Sequence, residues 1–179
     1  TYTAKSIVYS TANDFAIYAD SATTPLTEAA DRSGVRVTIP DGTTTVYIQN
    51  TNSAWTPGDH YTFSGNEYTV DADGCIAIPV SGLGTETRIA LSNFTQVYMA
   101  SYDVGDANYT SSTNPTPQYN SGAITVKDAP TVTAANYQFL GWYDAAGDKL
   151  YKPGATLTFS GSDVSLKAVY YSTVMEADG

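Results

Sequence analysis

His60, Cys75 and a few carboxylates are the side chains of this 179-residue sequence that are suited to breaking or making bonds. There is one histidine and one cysteine, so a Ser-His-Asp or Cys-His arrangement would have to be built on the single imidazole. Pro57–Gly58–Asp59–His60–Tyr61 reads as a turn entering a strand, and the sequence contains neither a Gly-x-Ser-x-Gly elbow nor a His-Glu-x-x-His segment. Glycoside cleavage needs two carboxyls facing each other across a cleft. The glutamates are Glu28, Glu67, Glu86 and Glu176, and no spacing pairs them; most aspartates stand among turn formers, where they bond their own backbone. Asp71–Ala72–Asp73–Gly74 has the start of a calcium loop but lacks its later ligands, so a tight turn explains it better. Asp103, Asp106 and Asn108 form a second oxygen-rich cluster. Lys5, Cys75, Gln96 and several asparagines carry the atoms of isopeptide or thioester cross-links, but no spacing joins them. The reading is a non-enzyme without cofactor or metal.

Binding chemistry is better represented. Trp55 lies in Asn50–Thr51–Asn52–Ser53–Ala54–Trp55–Thr56–Pro57–Gly58, between two strand-like runs and amid turn formers. A loop tryptophan either folds back on the core or is presented to a ligand. A flat aromatic face beside hydrogen-bonding side chains suits a sugar ring, whose C–H groups pack on the ring while its hydroxyls bond the neighbours. The expected site is therefore Trp55 with Asn52, Asp59, His60 and Tyr61. Tyr102, Tyr109 and Tyr119 would supply a second wall.

The elements that must position these residues are strands. Val35, Val37 and Ile39 alternate with Arg36 and Thr38; after Pro40–Asp41–Gly42, Val46 and Ile48 alternate with Thr45, Tyr47 and Gln49. Period-two alternation around a turn reads as a hairpin. Ile7 to Tyr9 and Phe15 to Ala19 read as another, and Tyr68 to Val70 with Cys75 to Val80 as a third. Thr87 to Leu91 and Thr95 to Tyr102 add two strands. Leu26 to Asp31 is the one helix candidate, too short to stand alone. The fold class is all-β: a β-sandwich-like domain over 1–95, then 96–179, with a polar stretch at 103–122 that is either a joint or a loop pinned by its tyrosines.

Composition agrees and narrows the partners. Hydrophobic residues at 42% supply a core, while charged residues are 15% against roughly 25% in an average soluble protein. The net charge of −10 has the wrong sign for neutralising phosphates, so nucleic acid is excluded as a partner. No apolar run nears the roughly 20 residues of a membrane span. The 15 tyrosines against 5 phenylalanines suit strands with a wet face. One cysteine rules out a disulfide framework. The chain starts at Thr1 without a signal segment, which reads as a piece of a larger exported protein.

After residue 123 the pattern is more specific. Tyr137–Gln138–Phe139–Leu140–Gly141–Trp142–Tyr143, a polar turn through Asp148, Leu150–Tyr151, Pro153–Gly154 and Ser162 to Tyr170 follow in order. From about Pro130 to Tyr171 this resembles the Listeria–Bacteroides repeat, the internalin-type B repeat of bacterial surface proteins. Ser165 stands where that repeat usually has Thr, and the 103–122 loop is longer than the family's. The resemblance implies a β-grasp-like module in an exported or wall-attached protein, used for display, spacing or adhesion, with no catalytic residues. Trp142 is then a packing residue. The function expected is a non-catalytic carbohydrate-binding module, for a polysaccharide or oligosaccharide such as a starch-like glucan, at the bacterial surface or outside the cell. Other modules of the same protein are further partners. An adhesin or spacer is the alternative.

Overall fold

Alternating apolar residues do build strands throughout the chain. The computed structural model describes residues 3–175. Strand makes up 46% and helix 3%, the helix being two single 3-10 turns, Val80–Gly82 and Leu91–Asn93. The fold is all-β, in two compact units, Thr1–Gln96 and Val97–Gly179.

The first unit holds β1 (Ser6–Tyr9), β2 (Phe15–Ala19), β3 (Ala29–Asp31), β4 (Gly34–Thr38), β5 (Thr45–Asn50), β6 (His60–Phe63), β7 (Asn66–Thr69), β8 (Cys75–Pro79) and β9 (Glu86–Arg88). One sheet has the order β3-β4-β1-β9 and a second β2-β5-β8. Ile7, Tyr9, Val35 and Val37 from the first share one core with Phe15, Ile17, Val46, Ile48, Ile76 and Ile78 from the second. This is sandwich-like packing, in which inward side chains of two sheets interdigitate.

Three expected hairpins are corrected by this pairing. Val35–Val37 and Val46–Ile48 do not face each other in one sheet: β4 pairs with β1 and β3, and β5 with β2 and β8. Pro40–Gly42 instead carries the chain from one sheet to the other, so both alternating faces reach the same core from opposite sides. Residues 10–14 do likewise between β1 and β2, which lie in different sheets. β7 and β8 keep their turn, where Asp71 N donates to the Cys75 carbonyl at 2.9 Å, but β7 pairs with β6 and β8 with β5. The helix candidate at 26–31 ends as β3, whose Ala29–Asp31 pairs with Gly34–Arg36.

The second unit is built on β10 (Thr95–Asp103), β11 (Gln118–Asn120), β12 (Ala123–Thr125), β13 (Tyr137–Asp144), β14 (Lys149–Tyr151), β15 (Thr156–Thr158) and β16 (Val164–Ser172). Neighbours run β14-β13-β16-β10, with β11 beside β10 and the β12–β15 pair separate. β10 and β16 lie parallel and the other pairs antiparallel. Ile124 and Leu157 of the β12–β15 pair share a core with Tyr102, Trp142, Leu166 and Ala168 of the larger sheet. Trp142 is fully buried with Ala168 as its cross-strand partner. Gly141 beside it is required by the neighbouring strand: a Cβ there would sit 2.9 Å from Leu150 Cγ and 3.0 Å from the Tyr151 carbonyl. A bulge between Phe139 and Gly141 puts Phe139 against Trp142, ring centroids 5.3 Å apart.

Candidate functional site

Trp55, the centre of the expected sugar platform, lies in the first unit's core, 6% exposed, with ring centroids 5.3 Å from Tyr61 and 5.0 Å from Phe94. Phe94 in turn stacks on Phe63 at 4.7 Å. The loop backbone is polar and exposed at Asn52, Ser53 and Thr56, yet the indole turns inward, because burying so large an apolar surface outweighs display. His60 is buried as well, with Nδ1 2.8 Å from Thr69 Oγ1. Asp59 Oδ2 accepts from Gln96 Nε2 at 3.0 Å, and Asn52 Nδ2 donates to Asp14 Oδ1 at 3.2 Å.

The proposed second wall fares unevenly. Tyr102 is buried edge-on to Trp142, donates its hydroxyl to Gln118 Oε1 and accepts from Lys127 N. Tyr119, half-buried on β11, pairs with Met99. Tyr109 alone lines an open concavity. Its ring stacks on Tyr170, with centroids 5.0 Å apart and planes 12° apart, and meets Tyr137 edge-on at 5.0 Å. Thr110 bridges to Val132, so the polar stretch is pinned rather than a free joint.

That concavity is a slot of about 360 Å³ lined by Gly105, Asp106, Tyr109, Tyr143, Lys167 and the 168–170 stretch of β16. Its origin is local. β10 follows β16 through the Asp103–Lys167 pair and then leaves, with Asp103 Oδ1 accepting from Gly105 N at 2.8 Å. Gly105 takes the left-handed φ of +80° that this exit requires. The β16 edge beyond Lys167 is left facing the slot. Alternation supplies the rest: Trp142, Leu166 and Ala168 point into the core, so Tyr143 and Lys167, which are cross-strand partners, point out.

The two tyrosine hydroxyls beside the slot are held protonated. Tyr170 is raised above its ordinary value chiefly by burial, and its hydroxyl donates to the Val104 carbonyl at 2.7 Å. Tyr143 is raised by its 2.6 Å hydrogen bond to Asp148. The Lys167 side chain has no ion pair or hydrogen bond among the described residues, while Asp106 Oδ1 accepts from Asn108 N at 2.8 Å. Tyr109, Tyr143, Tyr170, Lys167 and Asp106 border a space near the lower end of the ordinary range for ligand sites, Tyr143 and Lys167 from the outer face and Tyr170 from the face it shares with Leu166 and Ala168.

The groups with bond-breaking potential are engaged elsewhere. Glu28 Oε1 accepts from Tyr9 at 2.6 Å, and Glu86 meets Arg36 at 3.2 Å. Glu176 lies outside the described residues. Asp31 is held below its ordinary range by Arg36, and Asp20 by the Thr45 and Thr44 amides and hydroxyl, which is the opposite of what a general acid needs. Asp71 Oδ1 caps its own turn by accepting from Asp73 N and Cys75 N, both at 2.9 Å. Among the described residues, no three His, Cys, Asp or Glu side chains are grouped to hold a metal. Lys5 Nζ donates to the Val80 carbonyl at 2.8 Å, and Cys75 Sγ to the Asp73 carbonyl at 3.9 Å.

The sequence reading missed Tyr143, Lys167 and Tyr170. The inward packing of Trp142, with alternation on the closing strand, was the available signal for the first two. Neither a protein-family model nor a curated protein matches this chain.

Proposed function

We propose that the chain is a non-catalytic carbohydrate-binding module of an exported or cell-surface bacterial protein, and that its sugar sits in the slot of the second unit. The observation that carries this reading is a space of about 360 Å³ bordered by Tyr109, Tyr143, Tyr170, Lys167 and Asp106. Ring C–H groups pack on tyrosine faces, and sugar hydroxyls bond the ammonium, the carboxylate and the open β16 edge. The tyrosine-rich, charge-poor composition agrees, and so does the likeness of the 130–171 stretch to a surface-protein repeat. Affinity electrophoresis in gels holding single polysaccharides tests it. The wild type should be retarded by at least one glycan, with micromolar or weaker affinity. Tyr143→Ala should migrate as in a blank gel, while Trp55→Phe should remain retarded.

The second reading is an adhesin or spacer. It draws on the two separate cores and on both tryptophans being packing residues. Free migration of the wild type through every glycan gel would put it first.

A further inference from the structure

A concavity of the first unit lies where β7 and β8 splay apart. Their turn closes with Asp71 N on the Cys75 carbonyl and Gly74 N on the Asp71 carbonyl, at 2.9 and 3.1 Å. Beyond it β7 pairs with β6 and β8 with β5. Between them opens a groove of about 890 Å³ lined by Phe63, Tyr68, Ile78 and Leu83 together with Glu67, Glu86 and Arg88. Glu86 belongs to β9, which ends the other sheet and also lines the groove.

Which backbone groups face this groove follows from the ladder pattern. Antiparallel pairs alternate between bonded and non-bonded. The β6–β7 turn has two residues, Ser64 and Gly65, so Phe63–Asn66 is a bonded pair. At the far end Val70 N donates to the Asp59 carbonyl at 2.8 Å, in the same phase. Glu67 and Thr69 therefore turn their N–H and C=O groups away from β6. On β9, Ser6 N donates to the Thr85 carbonyl and Ile89 N to the Val8 carbonyl, so Glu86 and Arg88 turn theirs away from β1. Two strand edges with open backbone groups border one groove, into which Phe63, Tyr68, Ile78 and Leu83 bring apolar surface.

We infer that this groove is a strand-addition site that takes an extended, basic segment of another polypeptide, paired along the β7 edge. An added strand wins main-chain hydrogen bonds from the open edge, and alternate side chains reach the groove. The four residues of β7 span about 13 Å, enough to pair a short segment. Charge selects the occupant. Glu86 already meets Arg36 and Arg88, whereas Glu67 has no ion pair among the described residues. A Lys or Arg of the incoming strand completes it. With 18 acids against 8 bases, a second copy of this chain is a poor match.

The test is a titration of the isotope-labelled full chain with a short peptide alternating Lys and Val, read by amide shifts and amide exchange. The peptide should shift and protect the amides of Glu67 and Thr69. A version N-methylated at alternate residues, and an alternating Glu–Val peptide, should each bind at least about tenfold more weakly. Glu67→Lys should lose the preference for the basic peptide. Glu67→Pro removes an N–H outside the β6–β7 ladder and should weaken binding while the fold is kept. Equal binding of the N-methylated and parent peptides, no shift at β7 with the parent, or protection of the same amides by self-association would each overturn the inference. The sugar slot lies in the other unit, so a glycan result leaves this outcome unaffected.

Discussion

Trp142 donates its indole N–H to the Lys127 carbonyl at 3.0 Å while its ring is wholly enclosed by the second unit's core. One side chain thus ties the segment after β12 to the sheet and fills the space between them. Trp142→Phe removes both the donor and part of the volume, and leaves the Lys127 carbonyl without this partner. The expected cost is about 2–4 kcal/mol, from the lost hydrogen bond and the cavity together. Denaturant unfolding should show a lower midpoint with an unchanged slope.

Gly34 opens β4 with φ at +140°, and a Cβ there would lie 2.3 Å from the Tyr9 carbonyl oxygen. Those atoms are backbone of the paired strand and have no room to yield. Gly34→Ala is expected to destabilise the first unit by about 3 kcal/mol or more, through overlap and backbone strain together. A thermal melt of Gly34→Ala against wild type checks it.

Cys75 is buried beside the Asp71–Gly74 turn, and burial pushes its thiol up to about 11, with Asp71 and Asp73 adding to the shift. The folded chain should therefore react slowly with a thiol reagent at pH 8, and rapidly in denaturant. The raised value also sets a direction for stability. The contribution is complete below the ordinary thiol value of 9.0 and is lost as pH rises through about 11. Cys75→Ala should flatten that alkaline loss.

Asp20 is held below its ordinary 3.8, first by the Thr45 amide and then by the hydroxyl and amide of Thr44. A depressed carboxyl stabilises the fold above its unfolded value, and that support disappears as pH falls through the folded value. The gap in unfolding midpoint between wild type and Asp20→Ala should be constant near neutrality. It should narrow below pH 3.8, which a denaturation series across pH would show.

Much of the strand content was legible because alternation reports which face of a strand is buried. Alternation is silent on the partner, however. Val35–Val37 and Val46–Ile48 look the same whether they pair in one hairpin or face each other across a sandwich, and they do the latter. Turn formers around Trp55 correctly mark a loop but not the direction of its side chain, which depends on Phe94 and Phe63, distant in sequence. The slot was hidden for a related reason. It needs the point where β10 leaves β16, and that register is not written in either strand alone.

The central claim is that Tyr109, Tyr143 and Tyr170 bind a sugar. The most direct measurement is an amide-shift titration of the full chain with an oligosaccharide from whichever polysaccharide retards it. The expected shifts fall on Gly105, Asp106, Tyr109, Tyr143 and residues 167–170, and Tyr109→Ala should weaken binding by about 1–3 kcal/mol, if sugar stacking resembles base stacking on aromatics. Shifts confined to the loop around Trp55, or saturable binding that Tyr109→Ala and Tyr143→Ala leave unchanged, would contradict it.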